Sequence, residues 1–189
     1  MALPLLVVVS GPPGSGKSTL AHELARAIPC PAISRDEIKE GLVHAMDAYT
    51  PAPGDELQRR TNDVFFGTLG SLIDARVSLV AEAAFQHRLW EPGLTPLLDR
   101  ARIQVVRCQV DPALAWERIN RRAEELPARR AVHGDPSLDA PFERFAAHLA
   151  GFEAVALPVP TIDVDTSAGI DAGLEATLRT LGQAGVSPK

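Results

Sequence analysis

The chain has 189 residues, 46% of them hydrophobic and 23% charged, and carries a formal net charge of −5. That length suits one domain with a sizeable core, and the acidic balance excludes a general basic field for nucleic acid, leaving at most a local basic patch. Cys30 and Cys108 match no metal or disulfide spacing and read as buried thiols; no apolar run reaches membrane length, and the start has no basic n-region, so a cytoplasmic protein is expected.

Leu5–Val9 is an uninterrupted apolar run, the pattern of a strand buried on both faces of a parallel sheet. It leads into Gly11, Pro12, Pro13, Gly14, Ser15, Gly16, Lys17, Ser18 and Thr19, which is G-x-x-x-x-G-K-[ST] set between a strand and the helical pattern Leu20, Leu24, Ile28. In such a loop the glycines let the backbone wrap and turn its N–H groups inward as an anion nest. The helix predicted from about Gly16 to Ile28 adds its positive N-terminal end. Lys17 can reach the β- and γ-phosphates, and the Ser18 hydroxyl is placed to ligate Mg²⁺. Residues 11–19 therefore read as a cradle for a nucleoside triphosphate with magnesium.

Pro29 and Pro31 end the first helix. Ala32–Ser34 reads as a second strand, followed directly by Arg35, Asp36, Glu37, Ile38 and Lys39, with Ile38, Leu42 and Val43 at helical spacing. Residues 47–54 carry Pro51, Pro53 and Gly54 and read as a loop. Gly54 or Asp55 caps a long helix with Leu57, Val64, Phe65, Leu69, Leu72 and Ile73 on one stripe. Val77–Ala81 is the predicted third strand, ending at Glu82. The next helix is expected to start with Thr95 as cap and Pro96 in the first turn, with Leu97, Leu98 and Ala101 inward. Ile103–Val110 is the predicted fourth strand, and Asp111 with Pro112 starts a helix through Trp116 and Ile119. Arg118, Arg121, Arg122, Arg129 and Arg130 follow, within a polar stretch that runs to Pro141. Phe142, Phe145 and Leu149 reopen a helix. Thr161–Val164 is the predicted fifth strand, then Asp165, Thr166 and Ser167, and a last helix carries Ile170, Leu174, Leu178 and Leu181. Residues 1–185 read as one domain with a lid at about 120–140, and 186–189 as a loose tail.

Strands alternating with helices predict an α/β fold with a mostly parallel sheet covered on both faces. Ligands of such sheets bind at the carboxyl ends of the strands, so the residues just after each strand are the ones to read for chemistry. Asp36, after the second strand, is the candidate general base for a phosphoryl acceptor hydroxyl; an N-cap for the helix beginning at Glu37 is the competing role. Arg35 lies beside it, and Lys39 on the same helical face would bind the acceptor, steady the transferring group, or simply be solvated. Glu82 would hold a Mg²⁺-bound water or orient the acceptor, because a buried acid needs a cation or hydrogen bonds nearby. Ser18 and Glu82 are thus the candidate metal residues. Arg118, Arg121 and Arg122 recur at i+3 and i+4, so at least two point the same way. Brought to the phosphates, Arg122 would stabilise charge in the transition state and Arg118 and Arg121 would hold the nucleotide; the alternative is a solvated face paired with Glu117, Glu124 and Glu125. Arg129 and Arg130 would belong to a moving lid, Arg130 toward the acceptor. Phe85 would line the acceptor pocket, Trp90 reads as core, and His133 reads as an exposed residue of a polar turn.

These features resemble the small P-loop kinases of the group containing polynucleotide 5′-kinases, chloramphenicol phosphotransferase and zeta toxins. The segment from Ile33 to Lys39 resembles the one that holds the general-base Asp in polynucleotide kinases, although an Arg often stands in that group where Lys39 stands here. Glu82 occupies the strand-three position where polynucleotide kinases often have Asp. The arginines from 118 to 130 resemble the lid arginines, and Ile162 to Ser167 resembles the last strand and adenine-side turn of chloramphenicol phosphotransferase, placing Thr166 and Ser167 near the nucleotide. The resemblance implies the P-loop NTPase fold, with five strands in the order 2-3-1-4-5 and an arginine-bearing lid. It implies an ATP-dependent kinase using Mg²⁺, with Lys17, Asp36 and Arg122 catalytic and a small-molecule hydroxyl acceptor, acting as a monomer or homodimer. A polynucleotide 5′-hydroxyl kinase would need a local basic channel, from Arg35, Lys39, Arg59, Arg60 and Arg88, and is disfavoured by the net charge. A zeta-like sugar-nucleotide kinase is a third acceptor class. A nucleotide-binding switch is less favoured, since no guanine-selective Asn-Lys-x-Asp motif occurs.

Overall fold

The computed structural model of the chain describes residues 2–52, 54–133 and 141–183. The tail 186–189, residues Gly134 and Asp135 of the expected turn, and the side chain of Arg130 lie outside the described residues. Five strands, β1 (Leu5–Ser10), β2 (Ala32–Ser34), β3 (Leu79–Ala83), β4 (Arg102–Gln109) and β5 (Thr161–Asp165), form one parallel sheet in the order β2-β3-β1-β4-β5. The helices are α1 (Lys17–Ala27), α2 (Arg35–His44), α3 (Glu56–Asp74), α4 (His87–Leu94), α5 (Pro112–Glu125), α6 (Pro127–His133), α7 (Phe142–Ala150) and α8 (Asp171–Gln183).

Every residue of β1 is buried, as its unbroken apolar run requires of the central strand. Alternate residues face opposite layers. Leu5, Val7 and Val9 pack with Leu20, Leu24, Val80, Val106 and Leu181 beneath α1 and α8. Leu6 and Val8 pack with Phe65, Leu69, Ile73, Trp90 and Leu94 beneath α3 and α4. Each fully buried side chain of this size contributes about 1.5–3 kcal/mol of transfer free energy. A third cluster joins Ala115 and Ile119 of α5 to Phe145 of α7. Among the described residues no helix is long and apolar enough to cross a membrane.

The helix starts follow their caps. Asp55 Oδ1 accepts from Gln58 N at 2.7 Å and starts α3; Asp111 Oδ1 accepts from Ala113 N at 2.9 Å and starts α5, with Pro112 in its first turn. Two expected boundaries are corrected. Strand three begins at Leu79, not Val77, because Val77 N donates to Leu72 O at 2.9 Å and Arg76 takes φ 62° to turn the chain out of α3. The strand runs on to Ala83, so Glu82 lies inside it. The helix expected from Thr95 instead ends just before it: Thr95 Oγ1 donates back to Glu91 O at 2.7 Å, and Thr95–Leu97 is a single 3₁₀ turn. The apolar spacing of Trp90 and Leu94, both buried, carries α4. Val64, placed on the α3 core stripe, is exposed.

Because all strands run the same way, their carboxyl ends line one edge of the sheet. The loop 11–16, the start of α2, Glu82 and the turn after β5 meet there.

Candidate active site

The donor half is made chiefly by backbone. Gly14 and Gly16 sit at φ 78° and 70°, where a side chain is strained. The loop passes so close to α5 that a Cβ on Gly14 would lie 2.7 Å from Ala115 O. Arg118 of α5 clasps the loop from outside, donating to Gly14 O at 3.3 Å and to Thr166 O at 2.9 Å. Thr166 Oγ1 lies 2.7 Å from Ser15 O and 3.0 Å from Gln109 O. These contacts take up carbonyls facing outward. Ser15 is buried, and its Oγ has no hydrogen-bond partner among the described residues. An orphaned buried hydroxyl in a loop held this way is one that a bound anion can satisfy.

Lys17, at the first position of α1, is buried, with Nζ 3.7 Å from Glu82 Oε1. The other Glu82 oxygen accepts from Ser34 Oγ at 2.8 Å. Burial would make either charge costly alone; each supplies the other's counter-ion. Ser18 is half-buried and Thr19 exposed beside a cavity of about 470 Å³ lined by Gly14, Gly16, Lys17, Arg118, Arg122 and Ile170.

The cluster at the start of α2 is made by side chains. Asp36 is the second residue of α2. Ser34 holds the N-cap position and no side chain caps this helix, so Asp36 is not spent as a cap. Its Oδ2 accepts from Arg129 Nη2 at 3.1 Å, and its Oδ1 lies 3.3 Å from Arg35 Nη1 and 3.9 Å from His133 Nδ1. Burial pushes the Asp36 carboxyl up, but His133, which carries its charge only in acid, together with the cations Lys17, Arg35 and Arg129 outweighs burial and holds it below the usual carboxylate range. Burial also holds the His133 imidazole below its ordinary range, against the pull of Asp36 and Glu40. At neutral pH the imidazole is therefore uncharged, and Lys17, Arg35 and Arg129 balance Asp36. Arg35 is buried, bonded to Asn62 Oδ1 (3.3 Å) and Gln58 Oε1 (3.1 Å) of α3, with its guanidinium 5.9 Å from the Phe85 ring centroid. Lys39 is buried with Nζ 5.4 Å from the Tyr49 ring centroid. Burial, reinforced by Arg35, lowers its pKa, partly offset by Asp55 and Asp36.

A family model described as an AAA domain matches residues 6–155. The chain belongs to that family. The fold of this AAA-domain protein is that of P-loop kinases. A solved structure of a candidate kinase from Chloroflexus aurantiacus superposes with a TM-score of 0.85 at 23% identity, covering 96% of this chain and 98% of that one. A sugar kinase from a Janibacter species gives a TM-score of 0.65 at 18% identity, covering 99% and 97%. In sequence, the chain is 30% identical over 168 residues to tRNA dimethylallyltransferase of Thioalkalivibrio sulfidiphilus. That match takes in 88% of this chain, which spans about half (47%) of the relative's length.

In this AAA-domain protein the site residues read from sequence divide by what they touch. Residues 11–19, Lys17 with Glu82, and Asp36 with Arg35 come together at the sheet edge. Arg122 lines the cavity beside the loop, together with Arg121, whose Nη1 lies 4.0 Å from Glu117 Oε1 on an exposed face. Arg118 and Thr166 hold loop backbone, and Ser167 Oγ accepts from Asp111 N at 3.1 Å, which ties the turn after β5 to the start of α5. Phe85 is buried among Phe65, Phe66 and Trp90, within 5.2–5.8 Å of each ring centroid. Lys39 is not a solvated surface lysine, and His133 is not an exposed turn residue: it ends α6 with its side chain 13% exposed. Sequence reading missed Glu40, Tyr49, Gln58 and Asn62. Glu40 had one usable signal, its place four residues after Asp36 on a predicted helix.

Proposed function

We propose that the protein is an ATP-dependent phosphotransferase that moves the γ-phosphoryl group of Mg·ATP to a hydroxyl of a small-molecule acceptor. The observation that carries this reading is Asp36. It is a carboxylate at the end of β2, beside the phosphate loop, kept ionised by neighbouring cations and committed to no structural cap. In the reaction the acceptor oxygen bonds to the γ-phosphorus as the bond from that phosphorus to the β–γ bridging oxygen breaks. The hydroxyl proton passes to Asp36 Oδ, and ADP leaves. Lys17 is positioned to offset charge developing on the phosphates once it exchanges Glu82 for them, and Arg122 borders the same cavity. Ser18 and Glu82 would hold Mg²⁺, which supplies charge neutralisation across the β- and γ-phosphates.

The experiment is a screen with γ-labelled ATP over nucleosides, oligonucleotide 5′ ends, sugars and antibiotics, with wild type and Asp36→Ala side by side. Loss of a general base costs about 100-fold or more. The reading expects label on an acceptor, that loss in the variant, and unchanged nucleotide binding; transfer retained by the variant refutes it. The acidic net charge of −5 favours an uncharged or small acceptor over a polynucleotide. A second reading, transfer of a dimethylallyl group to tRNA, is favoured by the 30% identity to the tRNA dimethylallyltransferase. Adding tRNA and a dimethylallyl donor to the panel tests it.

A further inference from the structure

We propose that Glu40 is a positioning residue for the acceptor end of the site: it holds Arg129 and His133 of α6 against Asp36 and so fixes which cation the carboxylate faces. The role deepens the phosphotransferase reading and rests on it only for what Asp36 does. Glu40 and Asp36 lie four residues apart on α2, and Arg129 and His133 four apart on α6, so each pair shares one helix face. The two faces meet as carboxylates against nitrogens. Glu40 Oε1 accepts from Arg129 Nη1 and lies 2.8 Å from His133 Nε2. The second Arg129 nitrogen, Nη2, reaches Asp36 Oδ2 at 3.1 Å, and His133 Nδ1 lies 3.9 Å from Asp36 Oδ1. The four side chains are 13–28% exposed, which limits screening by solvent.

A helix of seven residues has no stability of its own. The placement of α6 therefore comes from what it touches, and among its described side chains that includes this ionic face and the buried Val132. Asp36 alone would hold Arg129 by one nitrogen. With Glu40 taking the other, the fork is fixed at both ends, and an acceptor hydroxyl can displace Nη2 from Asp36 while Nη1 keeps the helix docked. The charged and titratable groups facing Asp36 are Lys17 from α1, Arg35 and Glu40 from its own helix, and Arg129 and the imidazole of His133 from α6. Glu82, on β3, is engaged with Lys17.

The test is a carboxyl ¹³C NMR titration of the nucleotide-free protein, with the Asp36 resonance assigned by its loss in Asp36→Asn. By direct Coulomb interaction, removing the negative Glu40 would lower the pH at which Asp36 titrates. If Glu40 acts by holding Arg129 and His133 in place, Glu40→Ala raises it instead, and Arg129→Gln raises it too. A downward or absent shift in Glu40→Ala, or no rise in Arg129→Gln, overturns the proposal. Ala suits a helix; should Glu40→Ala fail to fold, Glu40→Gln carries the same opposed signs. No acceptor enters the measurement. A positive titration with an empty acceptor screen would sink the phosphotransferase reading and leave the positioning role standing.

Discussion

The two positive-φ glycines of the phosphate loop should respond very differently to one methyl group. Gly14→Ala and Gly16→Ala both place a side chain in the left-handed region, at φ 78° and 70°, which costs about 1–2 kcal/mol. Only Gly14 adds a clash. Its Cβ would meet Ala115 O at 2.7 Å and Ala115 Cα at 2.9 Å, both backbone atoms of α5, while a Cβ on Gly16 meets nothing nearer than Ile170 Cγ2 at 3.6 Å. Backbone cannot swing aside as a side chain can, so overpacking adds about 1–3 kcal/mol at Gly14 alone. The expected losses are thus about 2–5 kcal/mol for Gly14→Ala and about 1–2 kcal/mol for Gly16→Ala. For a domain of this size, 1 kcal/mol moves the midpoint by roughly 2–4 °C. Thermal unfolding followed by circular dichroism, with and without Mg·ATP, separates the two variants. Gly14→Ala should also loosen the Arg118 clasp and weaken nucleotide binding more than Gly16→Ala. Equal midpoints, or a Gly14→Ala protein as stable as wild type, would refute the assignment of α5 as a rigid wall behind the loop.

Trp90→Phe keeps the ring among Phe65, Phe66 and Phe85 but removes the Nε1 bond to Ser10 Oγ at 2.9 Å; denaturant unfolding should show a loss of about 1 kcal/mol, against about 3–5 kcal/mol for Trp90→Ala. Burial pushes the Cys108 thiol up to about 12 and the Cys30 thiol to about 11, so iodoacetamide at pH 8 should label neither in the folded protein and both after unfolding. Asp36 is held below the ordinary carboxyl value of 3.8 in the folded state. Its contribution to stability is therefore present above that value and lost as pH falls through its folded pKa; Asp36→Asn should flatten the acid limb of the stability–pH curve, while the loss below pH 6.5 from charging the buried His133 stays in both proteins.

The two halves of the site were unequally legible, for a physical reason. The donor half depends on backbone conformation, and backbone demands show in sequence: Gly14 and Gly16 at positive φ, a strand before them and Lys17 opening a helix. The caps Asp55 and Asp111 were legible on the same ground, since each is a local rule read within a few residues, whereas the strand order came only with the resemblance to P-loop kinases. The cluster around Asp36 depends on side chains brought together across the fold. Asp36 could be found because it directly follows a strand. Arg129 and His133, which meet it from 93 and 97 positions away, could not be placed, because seven residues of weak helix carry no periodic signal strong enough to fix a face. The misread boundaries share that origin. Val77 and Thr95 look like a strand start and a helix cap by composition, and each is instead consumed in ending the helix before it. Where a residue's partner lies in its own turn, sequence names its role; where the partner lies across the sheet edge, as for Glu40 with Arg129, sequence names only the charge. The same division bears on selectivity. A backbone cradle answers to any triphosphate of the right length, whereas on the proposed phosphotransferase reading a choice among acceptors would fall to side chains such as Arg35, Lys39, Glu40 and Tyr49, which the fold gathers near Asp36.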